Sequence, residues 1–210
     1  MARILITSGP TRQYLDPVRY LTNASSGRMG AALAAAALDL GHEVVVISGP
    51  VEVAYPDGAE VVPVVSTEEM LEASREAFAQ CDGMIGAAAP CDYRPEHVER
   101  QKIAKTGEPL LLQLVETDDV VATLGAEKGP RWVVGFALET DDHRLRALAK
   151  LERKCCDLMA SNSVEAISSL DNSVDVLDPA GNVVRAVTGS KEAVARAILA
   201  VIEERLIRGR

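Results

Sequence analysis

Short runs of apolar, often β-branched residues alternate with alanine- and leucine-rich stretches of helical length along most of this 210-residue chain. Arg3–Thr7 (RILIT), Glu43–Ser48 (EVVVIS), Glu60–Val65, Gly83–Ala88 (GMIGAA), Leu110–Val115, Arg131–Ala137 (RWVVGFA) and Asp157–Ala160 read as strands. Arg28–Leu40, Thr67–Gln80, Asp118–Glu127 and Asp141–Lys154 read as helices, the first stopped by Gly41 and the second opening on Thr67 as N-cap, with Glu68 and Glu69 in its first turn. Strands without a polar face belong inside a parallel sheet, and strands alternating with helices put helices on both faces of it. Asp178-Pro-Ala-Gly181 is a turn signal between Asp175–Leu177 and Val183–Ala186, so a hairpin is expected there, followed by an amphipathic helix over Ser190–Arg208. One domain spanning residues 1–210 accommodates all of this.

In such a sheet ligands bind beyond the carboxyl ends of the strands. Four segments follow strands and should gather there: Asp16–Gly30, Ala89–Pro109, Glu116–Asp119 and the residues after Ala137. The first, DPVRYLTNASSGRMG, holds Arg19, Asn23, Ser25, Ser26, Gly27 and Arg28 just where a helix begins. Ser25-Ser26-Gly27 alone is as readily an N-cap. Beside an amide and two guanidinium groups at a helix N-terminus, it describes a cradle for phosphate or carboxylate. The second segment is long, irregular and charged, which in compact domains often marks a functional loop.

The net charge of −9 argues against general nucleic-acid binding, so any anionic ligand needs a local cationic patch. Lys102 and Lys105, in QKIAK, and Lys150 and Lys154, one helical turn apart, are candidates, although lysines at such spacings commonly face only solvent. Cys81, Cys91, Cys155 and Cys156 lack ligand or disulfide spacing, and His42, His97 and His143 lack metal spacing. Without a signal core or an apolar run of membrane-spanning length, a cytoplasmic protein with reduced thiols and no membrane partner is expected. Aromatics are only 3% of residues, so Ala, Val, Leu and Ile must build the core.

A dinucleotide site would need G-x-G-x-x-G in a tight turn after the first strand and an acidic residue after the second. Only Gly27-x-x-Gly30 approaches that pattern, and Ser48-Gly49-Pro50 stands where the acid belongs. No G-x-x-x-x-G-K-[ST] is present, which excludes a P-loop.

Taken in order, ILITSGPTRQYLDPVRYLTNASSGRMG, AAAPCDYRP, QKIAK, VVGFALET and KLERKCCDLMASN closely resemble the phosphopantothenoylcysteine synthetase family, across essentially the whole chain. The resemblance implies a Rossmann-like three-layer α/β fold with a mainly parallel sheet and a small C-terminal β-hairpin. It implies a ligase of coenzyme A biosynthesis that joins 4′-phosphopantothenate to L-cysteine through an acyl-cytidylate, consuming CTP with Mg2+ and releasing CMP and pyrophosphate. A homodimer is implied as well, and a separate decarboxylase partner, because the flavin-dependent half found in bacterial fusions is absent from this sequence. An NADP-dependent Rossmann-type reductase and a catalytically silent nucleotide-binding module are the competing readings.

By the same resemblance, Lys102 contacts the nucleotide phosphates and supports formation of the intermediate. Lys150 and Lys154 are further nucleotide-site lysines, and Ser25 is a phosphate contact. Gly86, Ala87, Ala88, Asp92 and Phe136 form the base and ribose pocket, with Asp118, Asp119, Val120 and Val121 a further nucleotide-contacting turn. Asn23 polarises the acyl carbonyl in the second half-reaction, and Arg19 and Arg28 hold the acyl substrate. No carboxylate cluster identifies metal ligands. The sequence departs from the family pattern at Arg28, Pro90-Cys91, Ala104, Thr117-Asp118 and Leu138.

Overall fold

The strands come together in the doubly wound order. The computed structural model describes residues 1–139, 143–163 and 172–209. Its elements are β1 (Arg3–Ser8), β2 (Arg12–Asp16), β3 (Arg19–Thr22), α1 (Arg28–Asp39), β4 (Glu43–Ser48), β5 (Glu60–Pro63), α2 (Thr67–Phe78), β6 (Gly83–Gly86), β7 (Tyr93–Pro95), β8 (Leu114–Glu116), α3 (Val120–Ala126), β9 (Trp132–Glu139), α4 (His143–Arg153), β10 (Leu158–Ser163), β11 (Asn172–Leu177), β12 (Val183–Gly189) and α5 (Lys191–Ile202), closed by a π-helical turn at Glu203–Ile207. The main sheet runs β5-β4-β1-β6-β9-β10-β11-β12. The first six of these pair in parallel, and the last two strands return antiparallel as the expected hairpin. The fold is therefore Rossmann-like, and its connections reverse direction between β1 and β6.

Each face of the sheet carries its own core. Ile4, Ile6, Val44 and Val46 point to the side covered by α1 and α5, and Leu5, Val45, Ile47 and Met84 to the side of α2, α3 and α4. That alternation along continuously apolar strands is what burial on both faces demands. Ala32, Ala34, Ala36 and Ala37 make the inner side of α1 thin, so α1 and α5 both pack closely over the sheet. Trp132 is the largest side chain that is fully buried. It pairs in register with Gly83, where a Cβ would lie 2.0 Å from the indole, so only glycine permits that crossing.

Some elements differ from expectation. The stretch from Asp16 is not all loop: β2 and β3 form a hairpin turned by the Asp16 carboxylate, which accepts from the amides of Val18 and Arg19 at 2.8 and 2.9 Å. The N-cap of α2 is Ser66 and not Thr67, and it forms a capping box with Glu69. Thr67 is instead fully buried and uses its hydroxyl inside the protein. Tyr93–Pro95, in the expected irregular segment, pairs with Leu114–Glu116, so the expected strand over Leu110–Val115 begins only at Leu114. The helix expected from Asp141 runs over His143–Arg153, with Asp141 outside the described residues.

Candidate active site

The carboxyl end of β1 and the start of α1 meet at the switch point. Gly27 is the N-cap of α1, in the left-handed region at φ 74°, and no side chain caps the helix. Ser25 and Ser26 therefore do not serve as caps, and the first turn carries no acidic residue. Gly30 seats the helix on β1, because a Cβ there would stand 2.0 Å from Ser8 Oγ. That hydroxyl donates to the Gly27 carbonyl at 3.2 Å and receives the Tyr55 hydroxyl at 2.9 Å. The result is a rigid, uncapped helix start, suited to an anion.

Across the switch point lies a cleft of about 480 Å³. Gly86, Ala88, Asp92, Asp118, Asp119, Val120, Val121, Phe136 and Lys154, named from five separate stretches of sequence, all line it. Gly86 is needed for the approach: a Cβ would meet Val121 Cγ2 at 2.4 Å, so α3 could not close over the end of β6. Asp119 caps α3 by accepting from the Ala122 amide at 3.1 Å, and its other oxygen holds Lys154 Nζ at 2.9 Å. Burial raises the Asp119 pKa, but the Lys154 hydrogen bond and charge, the Ala122 amide and Arg153 outweigh it and hold the carboxyl below its ordinary value. Lys154 is thus a desolvated cation with a carboxylate partner, which an incoming phosphate would have to displace or share.

Other expected residues stand elsewhere. Ala87 packs into the core on the α1 side. Lys150 and Ser25 do not line the cleft, and Arg28 borders a separate groove with Tyr55 and the start of α5. Lys102 lines a second cleft with Leu15, Pro95 and Leu110–Leu112. Arg19 is engaged by the Asp16 carboxylate and donates to the Ile103 carbonyl at 3.1 Å. The Asn23 amide donates to the carbonyls of Ala89 and Pro90 at 3.2 and 2.8 Å, tying the approach to α1 to the loop that leaves β6.

That loop is fixed by hydroxyls that sequence reasoning missed. Thr117 and Thr67 donate to the Cys91 carbonyl at 2.6 and 3.1 Å, and Thr11 accepts from the Cys91 amide at 2.8 Å. The Thr117 amide also donates to the Asp92 carbonyl at 2.9 Å. Thr7, Pro90, Tyr93, Glu116, Ala122 and Arg153 also line the cleft. Arg153 was visible in KLERK beside Lys154; the threonines carried no local signal. All four cysteines are free, and burial pushes the Cys156 thiol up to about 12 and the Cys81 thiol to about 11, which makes both unreactive. Among the described residues no three His, Cys, Asp or Glu side chains converge as a metal site, and no helix is long and apolar enough to cross a membrane.

The fold and cleft define a doubly wound α/β protein with an anion-ready helix start beside a pocket of nucleotide dimensions. Residues 1–206 match the family model of the DNA/pantothenate metabolism flavoprotein C-terminal domain, and the chain belongs to that family. It is 41% identical over 209 residues to the coenzyme A biosynthesis bifunctional protein CoaBC of Vibrio parahaemolyticus, covering 96% of this chain and 52% of that protein. It is 43% identical over 164 residues to CoaBC of Bacillus subtilis, covering 78% of this chain and 40% of the relative. The chain therefore spans about half the length of these relatives. The crystal structure of a CoaBC C-terminal domain superposes with a TM-score of 0.82 at 36% identity, over 97% of this chain and 95% of that one. A Cab2 mutant in complex with phosphopantothenate-cysteine shares the fold, with a TM-score of 0.79 at 15% identity over 99% of this chain and 88% of the other.

Proposed function

We propose that this chain is a phosphopantothenate–cysteine ligase that activates 4′-phosphopantothenate with CTP and transfers the acyl group to the amine of L-cysteine. The observation that carries this reading is the convergence of Gly86, Ala88, Asp92, the Asp118–Val121 turn, Phe136 and Lys154 on one cleft at the switch point. Relatives at about 41% identity bear the name of a coenzyme A biosynthesis protein, which supports the same assignment.

In the first half-reaction the substrate carboxylate attacks the α-phosphorus of CTP, a P–O bond forms, and pyrophosphate leaves with the electron pair. Two anions must approach, so preorganised positive charge has to offset their repulsion. Lys154 and Arg153 supply it at the cleft, the α1 amides and Arg28 supply it at the helix start, and Lys102 is assigned to the phosphates once its loop and the nucleotide meet. Phe136 and Gly86 offer flat and open surfaces to the base, with Asp92 toward the ribose. In the second half-reaction the cysteine amine attacks the acyl carbon, the C–O bond to CMP breaks, and the amine proton leaves. Asn23 is assigned to that carbonyl, Arg19 to the acyl chain and Ser25 to a phosphate.

Asp92, Glu116 and Asp118 line the cleft along with Asp119, and one or two of these carboxylates would hold a magnesium ion there. When bound, Mg2+ would supply charge neutralisation on the departing pyrophosphate. The test is pyrophosphate release measured with CTP and with ATP side by side, which this reading requires to depend on both phosphopantothenate and CTP. Release without the acyl substrate would sink it.

We further propose that the active form is a homodimer. Leu110, Leu111, Leu112 and Leu114 are exposed, Leu111 by 91%, as are Tyr14, Tyr20 and Tyr93 on the two small hairpins. Burying Leu111 contributes about 1.5–3 kcal/mol, with smaller contributions from the partly covered Leu110, Leu112 and Leu114, toward the roughly 4–15 kcal/mol cost of association. A second copy of the chain is the assigned partner, with a decarboxylase acting separately on the product.

A further inference from the structure

The buried carboxylate of Asp16 has all of its acceptor capacity engaged. Its side chain is fully shielded from solvent. One oxygen accepts the amides of Val18 and Arg19, which forms the β2–β3 turn. The other accepts the Arg19 guanidinium and, at 3.0 Å, the amide of Ile103, 87 residues further along. Arg19 then closes a ring by donating to the Ile103 carbonyl. Next door, the Glu99 amide donates to the Leu15 carbonyl at 2.9 Å. Both polar backbone groups of Ile103 are therefore held from one side, and Lys102 and Ala104 flank the clamped residue.

We propose that Asp16 is a positioning residue for Lys102: with Arg19 it clasps the Ile103 peptide groups and so fixes where the Gln101–Lys105 segment presents its lysines. The inference rests on the ligase reading for Lys102's target, the nucleotide phosphates, but the clasp itself is geometry. Turn formation alone needs only the oxygen that faces Val18 and Arg19; the second oxygen's bond to Ile103 adds nothing to the turn. Charge-assisted hydrogen bonds from a buried carboxylate are roughly twice as strong as neutral ones, which suits a clasp on an otherwise exposed loop. Burial pushes the Asp16 pKa up, but its bonds to the amides of Val18, Ile103 and Arg19 and to the Arg19 guanidinium prevail and bring it down to about 2, so the clasp stays charged at neutral pH.

Two variants test this. Asp16→Asn keeps the shape but replaces one acceptor oxygen by a donor, and Ile103→Pro removes the amide donor at the loop end of the clasp, while also replacing the isoleucine side chain and fixing φ there. The readouts are calorimetric affinities for CTP and for CMP, which lacks the outer phosphates, and the rate of tryptic cleavage at Arg100, Lys102 and Lys105. Both variants should weaken CTP by about tenfold while leaving CMP within about twofold, as expected if a phosphate contact worth about 1.4 kcal/mol is lost. Both should also speed cleavage after Arg100 and Lys105, and Asp16→Asn should speed it after Lys102 as well, where the proline of the other variant blocks trypsin. Equal loss of CTP and CMP, or loss in Asp16→Asn alone with a lowered melting temperature and a normal Ile103→Pro, would reduce Asp16 to a structural role and overturn the proposal. Unchanged cleavage in both variants would also overturn it. If the unmodified protein binds neither nucleotide, the ligase reading fails, and the cleavage rates still decide the clasp.

Discussion

At the scale of single residues, the least expected result is how many of the charged and amide groups assigned to substrate already have protein partners. Asn23 donates twice to the loop leaving β6. If Asn23 also serves the acyl carbonyl, Asn23→Asp should slow product formation by about 100-fold, the scale of losing one donor to a developing oxyanion, while pyrophosphate release stays within about threefold. Parallel loss of both steps, measured by pyrophosphate and product assays on the same samples, would assign Asn23 to loop anchoring alone. Acid sensitivity follows from the depressed carboxyls. Asp16 titrates near 2 in the folded chain against an ordinary 3.8, so its contribution is fully present above about pH 4–5 and is lost as pH falls toward 2. Asp119, also lowered, adds to the loss in the same direction. Urea unfolding from pH 6 to pH 2.5 should show stability falling mainly below about pH 4, with a shallower fall in Asp16→Asn; identical slopes would contradict the assignment.

At the scale of elements, α3 joins fold to site. Its cap, Asp119, holds Lys154, and its Gly125 lies so near the turn after α4 that a Cβ would meet the Lys154 carbonyl at 2.0 Å. Gly125→Ala should therefore move α3 and Lys154 apart, cost about 1–3 kcal/mol of stability as overpacking does, and weaken nucleotide binding more than a comparable change remote from the cleft. Gly83→Ala is that remote control: it collides with Trp132, so it should destabilise by a similar amount or more without a specific effect on nucleotide affinity. Melting temperature against nucleotide titration separates the two. Equal effects on affinity would show that the α3 contact has no special part in the site.

At the scale of the whole molecule, the proposed homodimer rests on the exposed leucines after the long loop. Leu111→Asp should shift the chain from dimer to monomer in sedimentation equilibrium at micromolar concentration while preserving the α/β circular dichroism; a dimer that survives it would place the interface elsewhere. The alternation of strand and helix was legible because it is local: each strand and helix carries its period in its own residues. The β2–β3 hairpin was not legible, because the cationic and small residues from Asp16 onward read as a ligand loop.

What the sequence by itself determined is the class of fold, the sheet edge where ligands gather and most of the cleft lining, since periodicity, turn residues and motif order are properties of contiguous stretches. Only the tertiary structure decided which charged groups are available. That Arg19 is bound to Asp16, that Lys154 leans on Asp119, that Lys102 lines a different cleft and that three threonines grip one cysteine backbone depend on tertiary contacts, the bonds among them joining residues 3 to 80 positions apart. Hydrogen bonds and ion pairs act over a few ångströms in space, and across the longer of these separations the chain leaves no periodic trace of them.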